Sequence, residues 1–259
     1  MMSNWLTKII QVVVALALPL VLLMGNVQLT AHMRFVRYEY GKASFPADTV
    51  VPLGGYPLSK AERTALAEAA LRSIIGSEGM RALEEARLQE TGAPAFNARE
   101  IRHMRDVRWL FQRARALFWV ALVALVGGAV LLTWRGGSPR HGPPGQASPP
   151  LRGEAAWERR QKVTRPLLIS AISTLSLAAA LGLYILLSFG SFFTQFHHVF
   201  FEGDTWLFRQ DDTLIRLFPT DFWFDAAAII AGLTVVELAL VGVGAWWWGR
   251  KTMDADMSR

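Results

Sequence analysis

Residues 9–25 read IIQVVVALALPLVLLMG, an uncharged apolar run preceded by Lys8. At about 1.5 Å of rise per residue, a helix of this length covers most of a hydrocarbon core about 30 Å thick. Three more blocks of the same character follow at about residues 116–134, 167–189 and 224–248. The last closes on Trp246, Trp247 and Trp248, whose indoles settle at a membrane–water interface. These blocks predict an all-α fold: a four-helix transmembrane bundle, read as a single integral membrane domain over 1–259. A cleaved signal peptide is the competing reading of the first block. The sequence that follows it, Asn26-Val27-Gln28-Leu29-Thr30, lacks a small-residue cleavage site, which favours a retained helix. Pro19 inside the block predicts a kink and not a break, because backbone in lipid must find its partners within the protein.

Composition agrees. The 259-residue chain is 52% hydrophobic and only 19% charged, against about 25% charged in soluble domains. It has no cysteine, which excludes disulfides, thiolate metal sites and a cysteine nucleophile. The net charge of +6 is not distributed as a nucleic-acid surface would be, and no nucleic-acid partner is expected. The connection between the second and third blocks carries Arg135, Arg140, Arg152, Arg159, Arg160, Lys162 and Arg165 against Glu154 and Glu158. The connection between the third and fourth carries Arg209 and Arg216 against five carboxylates: Glu202, Asp204, Asp211, Asp212 and Asp221. The positive-inside rule then places both termini and a flexible Gly/Pro-rich linker, 135–166, in the cytoplasm. Residues 26–115 and 190–223 fall outside. His141, in the linker, reads as inert.

The outside segments carry the remaining signal. Ser59-Lys60-Ala61-Glu62 is a capping box, followed by Leu66, Ala69, Ala70, Ile74 and Ile75 at helical spacing. A second helix is expected from Ser77 to about Gly92-Ala93-Pro94. Asn97-Ala98-Arg99-Glu100 repeats the capping logic and opens a helix without a breaker until Gly127-Gly128, so 97–134 reads as one long helix. On it His103 would stand about 15–20 Å from the core of the bilayer if the helix is upright. The segment between the third and fourth spans is dense in aromatics, from Phe192 to Phe208 and again to Trp223. It is too apolar for an open loop and reads as an interfacial segment.

Histidine is the residue of proton transfer near neutral pH. His103 and His197 lie on segments that emerge on the same side, and so are candidates for a shared site; interfacial anchoring is the bland reading of His197 and His198. With no cysteine and no G-x-S-x-G serine, proton shuttling or an acyl-histidine are the routes left open. His32, His103, His197, His198, Asp106 and Glu202 could in principle ligate a metal, but no H-E-x-x-H spacing is present, and no metal is expected. Glu237, within the fourth block, reads as a hydrogen-bonded partner of Ser170, Ser173, Thr174 or Ser176, with a proton pathway as the alternative. Gly127-Gly128 and Gly242-Val243-Gly244 allow close helix packing without fixing an oligomeric state. From another class, a non-enzymatic scaffold or transporter subunit remains open.

Two blocks of residues carry a family likeness. Glu100-Ile101-Arg102-His103-Met104-Arg105-Asp106-Val107 is one. Phe196-His197-His198-Val199-Phe200-Phe201, with Asp204-Thr205-Trp206-Leu207-Phe208 and Asp212-Thr213-Leu214-Ile215-Arg216-Leu217-Phe218-Pro219, is the other. In this order and with four spans, the chain resembles the lipoprotein intramolecular transacylase (Lit) family of bacterial membrane enzymes. The resemblance implies a substrate, a diacylated lipoprotein in the membrane lipid. Its sn-2 acyl chain moves to the free α-amine of the N-terminal cysteine, without cofactor or external acyl donor, at the outer face of the cytoplasmic membrane. The family's two functional histidines map to His103, in H-M-x-D-V, and His197, in F-H-x-x-F-F. His198 falls at a variable position and takes no role. The 135–153 stretch is longer than the family norm.

That chemistry suits the residues. An α-amine has a pKa of about 7.7–8 and must lose a proton before attacking an ester. One histidine removes it, and the other, protonated, would steady the oxyanion or protonate the leaving glycerol oxygen. His197 is placed nearest the ester and His103 as its partner. Asp106, one turn from His103, is a candidate to orient it or else a solvated partner of Arg102. Trp206 and Asp212 are read as pocket or loop-fixing residues.

Overall fold

The computed structural model describes residues 4–48, 51–52, 55–134 and 152–250, the stretch 152–159 and residue 250 by backbone alone. Among these residues the structure is helical: α1 (Asn4–Thr30), α2 (Met33–Gly41), α3 (Lys60–Ile75), α4 (Arg81–Glu84), α5 (Ala98–Trp134), α6 (Arg152–Leu187), α7 (Phe189–Phe200), α8 (Thr213–Leu217) and α9 (Thr220–Arg250). No strand forms among them, and an isolated bridge joins Arg87 to Pro94. Four helices, α1, α5, α6 and α9, are long and apolar enough to cross a membrane. The protein is an all-α membrane-integral chain, as its apolar blocks predict. Its contacts divide it into two units, one of Met1–Gly25, Leu117–Gly182 and Ala231–Arg259, the other of Asn26–Ala116 and Leu183–Ile230.

The first unit is the bundle. Val14 of α1 packs with Leu132 of α5 and Val163 of α6, and Leu18 packs with Ala171 of α6 and Leu238 of α9. Helix α1 thus meets the other three. At Gly128 of α5 the approach is close enough that a Cβ would stand 2.6 Å from Val14 Cγ2, whereas Gly127 and Gly244 face open space. Polar side chains of the unit reach backbone of neighbouring helices: Ser170 Oγ donates to the Ala15 carbonyl at 2.6 Å and Gln11 Nε2 to the Lys162 carbonyl at 3.1 Å. Ser173 and Ser176 donate back to their own helix, a usual home for hydroxyls in an apolar helix. Valines and leucines such as Val123, Leu177 and Leu240 point outward without protein cover, the surface lipid would solvate.

The sequence placed a flexible linker over 135–166. Residues 135–151, with His141, lie outside the described residues, but the backbone is helical from Arg152. Past Pro150 the chain turns to Ala, Glu, Arg, Gln and Lys, which are strong helix formers. At the other end α6 stops at Leu187, two residues short of the expected boundary, because Ser188 leaves helical geometry (φ −154°, ψ 59°) and α7 begins afresh at Phe189.

The second unit is built around α3 and α8. Helix α3 is buried on both flanks: Leu66 and Ala70 enter one cluster with Leu83, Phe96, Met104, Leu214 and Leu217, while Ala67 and Leu71 enter another with Val36 and Tyr40. A helix covered on opposite faces needs small residues throughout, which explains its alanines. Ser59 Oγ caps it by accepting from Glu62 N at 3.1 Å. Glu62 does not return the bond; its Oε1 instead accepts from Tyr56 Oη at 2.6 Å and Gln89 N at 2.8 Å. The expected second helix shrinks to α4. From Glu85 onward the backbone is taken up in a tight loop, with Leu88 N bonded to Ala93 O and Ala95 N to Ala86 O, and Gly92 supplies the positive φ of +67° that the turn requires.

Helix α8, five residues long, gathers the unit. The Arg216 side chain is 4% exposed and that of Asp48 3%, and the two are joined by Nη2–Oδ2 at 2.6 Å. Arg216 Nη2 also donates to the Tyr56 carbonyl, and Asp48 Oδ2 accepts from Leu58 N. The Arg216 carbonyl accepts from Arg63 Nη2 at 2.6 Å and the Leu217 carbonyl from Tyr40 Oη at 2.7 Å. Thr213 Oγ1 donates to the Ala95 carbonyl at 2.6 Å. A short helix with few bonds of its own is held by partners from α2, α3 and the two loops beside them.

Candidate active site

The first turn of α5 carries a complete capping box. Asn97 Oδ1 accepts from Arg99 N and Glu100 N, and Glu100 Oε2 accepts from Asn97 N at 2.7 Å. The other carboxylate oxygen of Glu100 accepts from Leu214 N, also at 2.7 Å, so one side chain that is 1% exposed ties α5 to α8. Burial pushes this carboxyl up to about 7, against the opposing hydrogen bonds from backbone amides. His103 lies one turn further along α5.

Helix α7 supplies the second imidazole. The aromatic segment expected at the interface forms this twelve-residue helix, with His197 turned inward and Val199 and Phe200 outward. His103 and His197, 8% and 9% exposed, stack with ring centroids 6.1 Å apart and planes 21° apart. Aromatic rings enclose the pair. Phe201 and Phe208 stand 4.9 and 5.2 Å from His103. Phe193, Trp206 and Phe201 stand 4.1, 5.0 and 5.4 Å from His197. The structure thus brings together the two histidines that the sequence singled out and sets Trp206 against one of them. Exposed His198 meets Trp206 edge-on, with ring centroids 5.1 Å apart.

The two imidazoles are electrostatically similar and differ in their partners. Burial lowers His103 to about 4, with a further push from the neighbouring His197. Burial lowers His197 as well, opposed by its bond to Phe193 and aided by His198. Both rings therefore rest neutral near pH 7. His197 Nδ1 lies 2.7 Å from the Phe193 carbonyl, which can only accept, so Nδ1 carries the hydrogen and the Nε2 lone pair is basic. Among the described residues Nδ1 of His103 finds no hydrogen-bond partner, Asp106 included.

Asp212 fixes the loop that leads into α8. Its Oδ1 accepts from Asn97 Nδ2 and its Oδ2 from Arg209 N, both at 2.8 Å. Arg99 Nη1 adds a bond to the Leu207 carbonyl at 2.9 Å, so the Trp206 loop is pinned to the first turn of α5 from two sides. Its turn passes through Gly203 at φ +63°. His32 is used otherwise: its Nδ1 accepts from Arg34 N and caps α2. Among the described residues no group of three His, Asp or Glu side chains is placed to hold a metal ion. Two hollows in the unit, of about 240 and 190 Å³, are lined by Arg108 and Gln112 in one and by Lys42 and Asp225 in the other; neither histidine lines them. Cavity size does not locate the chemistry here; the histidine pair does. Sequence reading missed Glu100 beyond its capping role, although its spacing of three from His103 on a helix was a visible sign. It also missed Asp48, Thr205 and the buried role of Arg216.

The fold and the site define a helical membrane enzyme with two neutral, stacked imidazoles in an aromatic cage, a set suited to moving one proton between an amine and an ester oxygen. The sequence profile described as "Lipoprotein intramolecular transacylase Lit" matches residues 12–223, and the chain belongs to that family. Its activity is intramolecular acyl transfer in bacterial lipoproteins: the sn-2 acyl chain of the diacylglyceryl group moves to the α-amine of the N-terminal cysteine, leaving the lyso-form. An uncharacterized protein of Aquifex aeolicus (strain VF5) is 27% identical over 240 residues, covering 90% of this chain and 92% of that one. Among solved structures, the in meso structure of the lipoprotein intramolecular transacylase Lit of Bacillus cereus superposes with a TM-score of 0.63 at 14% identity, covering 99% of this chain and 100% of that one. A variant of the same enzyme with one histidine replaced by alanine gives 0.65 at 15% identity, covering 96% of each chain.

Proposed function

We propose that the transfer is carried by the His103–His197 pair, with His197 as the base and His103 as its neutral partner. The observation that supports this most is the bond from His197 Nδ1 to the Phe193 carbonyl, which leaves Nε2 basic within the aromatic cage. The substrate amine, in its neutral form, attacks the sn-2 ester carbonyl and gives one proton to Nε2 as the C–N bond forms. The same proton then passes to the glycerol oxygen as the ester C–O bond breaks. A protonated second histidine is not required, which accords with burial holding both rings neutral. Donor and acceptor belong to one molecule, so proximity replaces an external acyl donor. Asp212 acts through the loop it anchors, and Asp106, half-buried on α5, makes no hydrogen bond to His103 Nδ1.

The positive-inside pattern supports a topology with both termini in the cytoplasm and residues 26–115 and 190–223 on the extracytoplasmic face of the bacterial cytoplasmic membrane. The reading is tested by fragmentation mass spectrometry of a lipoprotein N-terminal peptide. The host is a bacterium without N-acylating enzymes, expressing this chain or its His103→Ala or His197→Ala variant. Conversion of the diacylglyceryl peptide to an N-acyl monoacylglyceryl peptide of equal mass, lost in both variants at normal protein level, is expected. Conversion that survives both substitutions would end the histidine reading.

A further inference from the structure

Acyl transfer builds negative charge on the ester carbonyl oxygen, and a site must meet that charge with hydrogen-bond donors. Burial keeps both imidazoles uncharged, so a standing imidazolium does not serve. The donors have to be neutral N–H or O–H groups close to His197. Among the described residues, five buried side-chain polar atoms lack a hydrogen-bond partner; two of them, His103 Nδ1 and Trp206 Nε1, belong to this cage, and a third, Thr205 Oγ1, to the residue just before Trp206. Buried donors are nearly always paired, because an unpaired one keeps the full cost of its lost hydration, so a cluster of exceptions calls for a reason. Trp206 holds its ring 5.0 Å from that of His197, tilted by 37° to the base. An indole can only donate.

We propose that Trp206 Nε1–H, assisted by the hydroxyl of Thr205, is the oxyanion donor of the transfer reaction, which makes Trp206 a catalytic residue; this rests on the histidine reading above. In the step concerned, the amine nitrogen bonds to the ester carbon and its proton goes to His197 Nε2. The carbonyl oxygen, now an oxyanion, accepts from Trp206 Nε1 and Thr205 Oγ1. On collapse the C–O bond to glycerol breaks, the glycerol oxygen takes the proton back from His197, and the two donors are unchanged. In the resting protein the donors are screened from water, so the carbonyl reaches them by displacing side chains that now cover them. The same enclosure strengthens the bonds once made, since a low local dielectric favours them. The pinning of the loop by Arg99 and Asp212 keeps the indole in register while this occurs.

The test replaces the indole N–H by sulfur, installing β-(3-benzothienyl)alanine at position 206 of the full-length protein in lipid nanodiscs, with Trp206→Phe and Thr205→Val beside it. The probe is a synthetic diacylglyceryl-cysteine peptide, followed by rearrangement to the N-acyl form. Removing one oxyanion donor elsewhere lowers kcat by about 100- to 1,000-fold. A fall of that order in the sulfur variant, with KM and melting temperature near those of the native protein, is expected, and a smaller fall in Thr205→Val. Native kcat in the sulfur variant while His197→Ala is inactive would overturn the donor role and leave the histidine reading standing. Native activity in His197→Ala would instead overturn the reading beneath it. A sulfur variant that melts early but turns over normally per folded molecule would make Trp206 structural, and the proposal would fall.

Discussion

The substitution Asp48→Asn should release α8. The carboxylate faces a guanidinium almost fully shielded from water, with Arg216 Nη2 at 2.6 Å and Nε at 3.2 Å, and asparagine keeps the volume but removes the counter-charge. Breaking a buried ion pair on one side costs about 3–5 kcal/mol, because the remaining charge is buried unpaired. At about 1.4 kcal/mol per factor of ten, the opening equilibrium of α8 should rise by a factor of hundreds to thousands. Amide hydrogen exchange read by mass spectrometry on a peptide covering residues 213–218 reports that opening directly. Adding Arg216→Met should recover most of the protection. No unpaired charge then remains, and the amide oxygen introduced at position 48 still accepts from the Leu58 N–H. Exchange within tenfold of the native rate in the single variant would show that the pair contributes little to holding α8.

The pH dependence of turnover follows from His197. Burial depresses its pKa below the ordinary 6.5, so the basic neutral form persists as pH falls past that value and is lost only through the lower, folded value. The substrate amine gives kcat/KM one break near its own pKa of about 7.7–8; the further acid break that belongs to His197 should fall below 6.5, and a ring titration of His197 at or above 6.5, read by NMR of labelled histidine, would contradict the burial argument. In the bundle, Gly128→Ala would set a Cβ 2.6 Å from Val14 Cγ2 on a stiff β-branched side chain. Overpacking of this kind costs about 1–3 kcal/mol. Heating in detergent should show a lowered melting temperature that Val14→Ala restores, while the same change at Gly127, which faces open space, should be silent.

The architecture was legible because it is written in local composition. Runs long enough to span lipid announce themselves residue by residue, and the four helices of the bundle lie over them. Helix α3 and the start of α5 were legible for the same reason, since Ser59 and Asn97 are caps whose partners lie within three residues. The helix expected after Ser77 is cut short at α4, because Glu62 and Tyr56, far away in sequence, take up the backbone around residues 89 and 90. The histidines could be named from their motifs, but their stacking could not. It depends on where α7 places His197, and a helix there was not evident from a stretch whose aromatics suggested only an interface. Asp48 was invisible for the plainest reason: it lies in an ordinary Pro-Ala-Asp stretch, and its meaning comes from Arg216, 168 residues later.

The acceptor that decides which nitrogen of His197 is basic is a main-chain carbonyl, one helical turn back at Phe193. Many enzymes assign this task to an aspartate or glutamate, which a single substitution can erase. Here every amino acid at position 193 brings the same oxygen to the same place, provided that the helix survives. The selection of the tautomer is therefore inherited with the backbone and not with any side chain. A change at that position can thin the aromatic cage, whose Phe193 ring lies 4.1 Å from His197, yet it leaves the choice of basic nitrogen untouched.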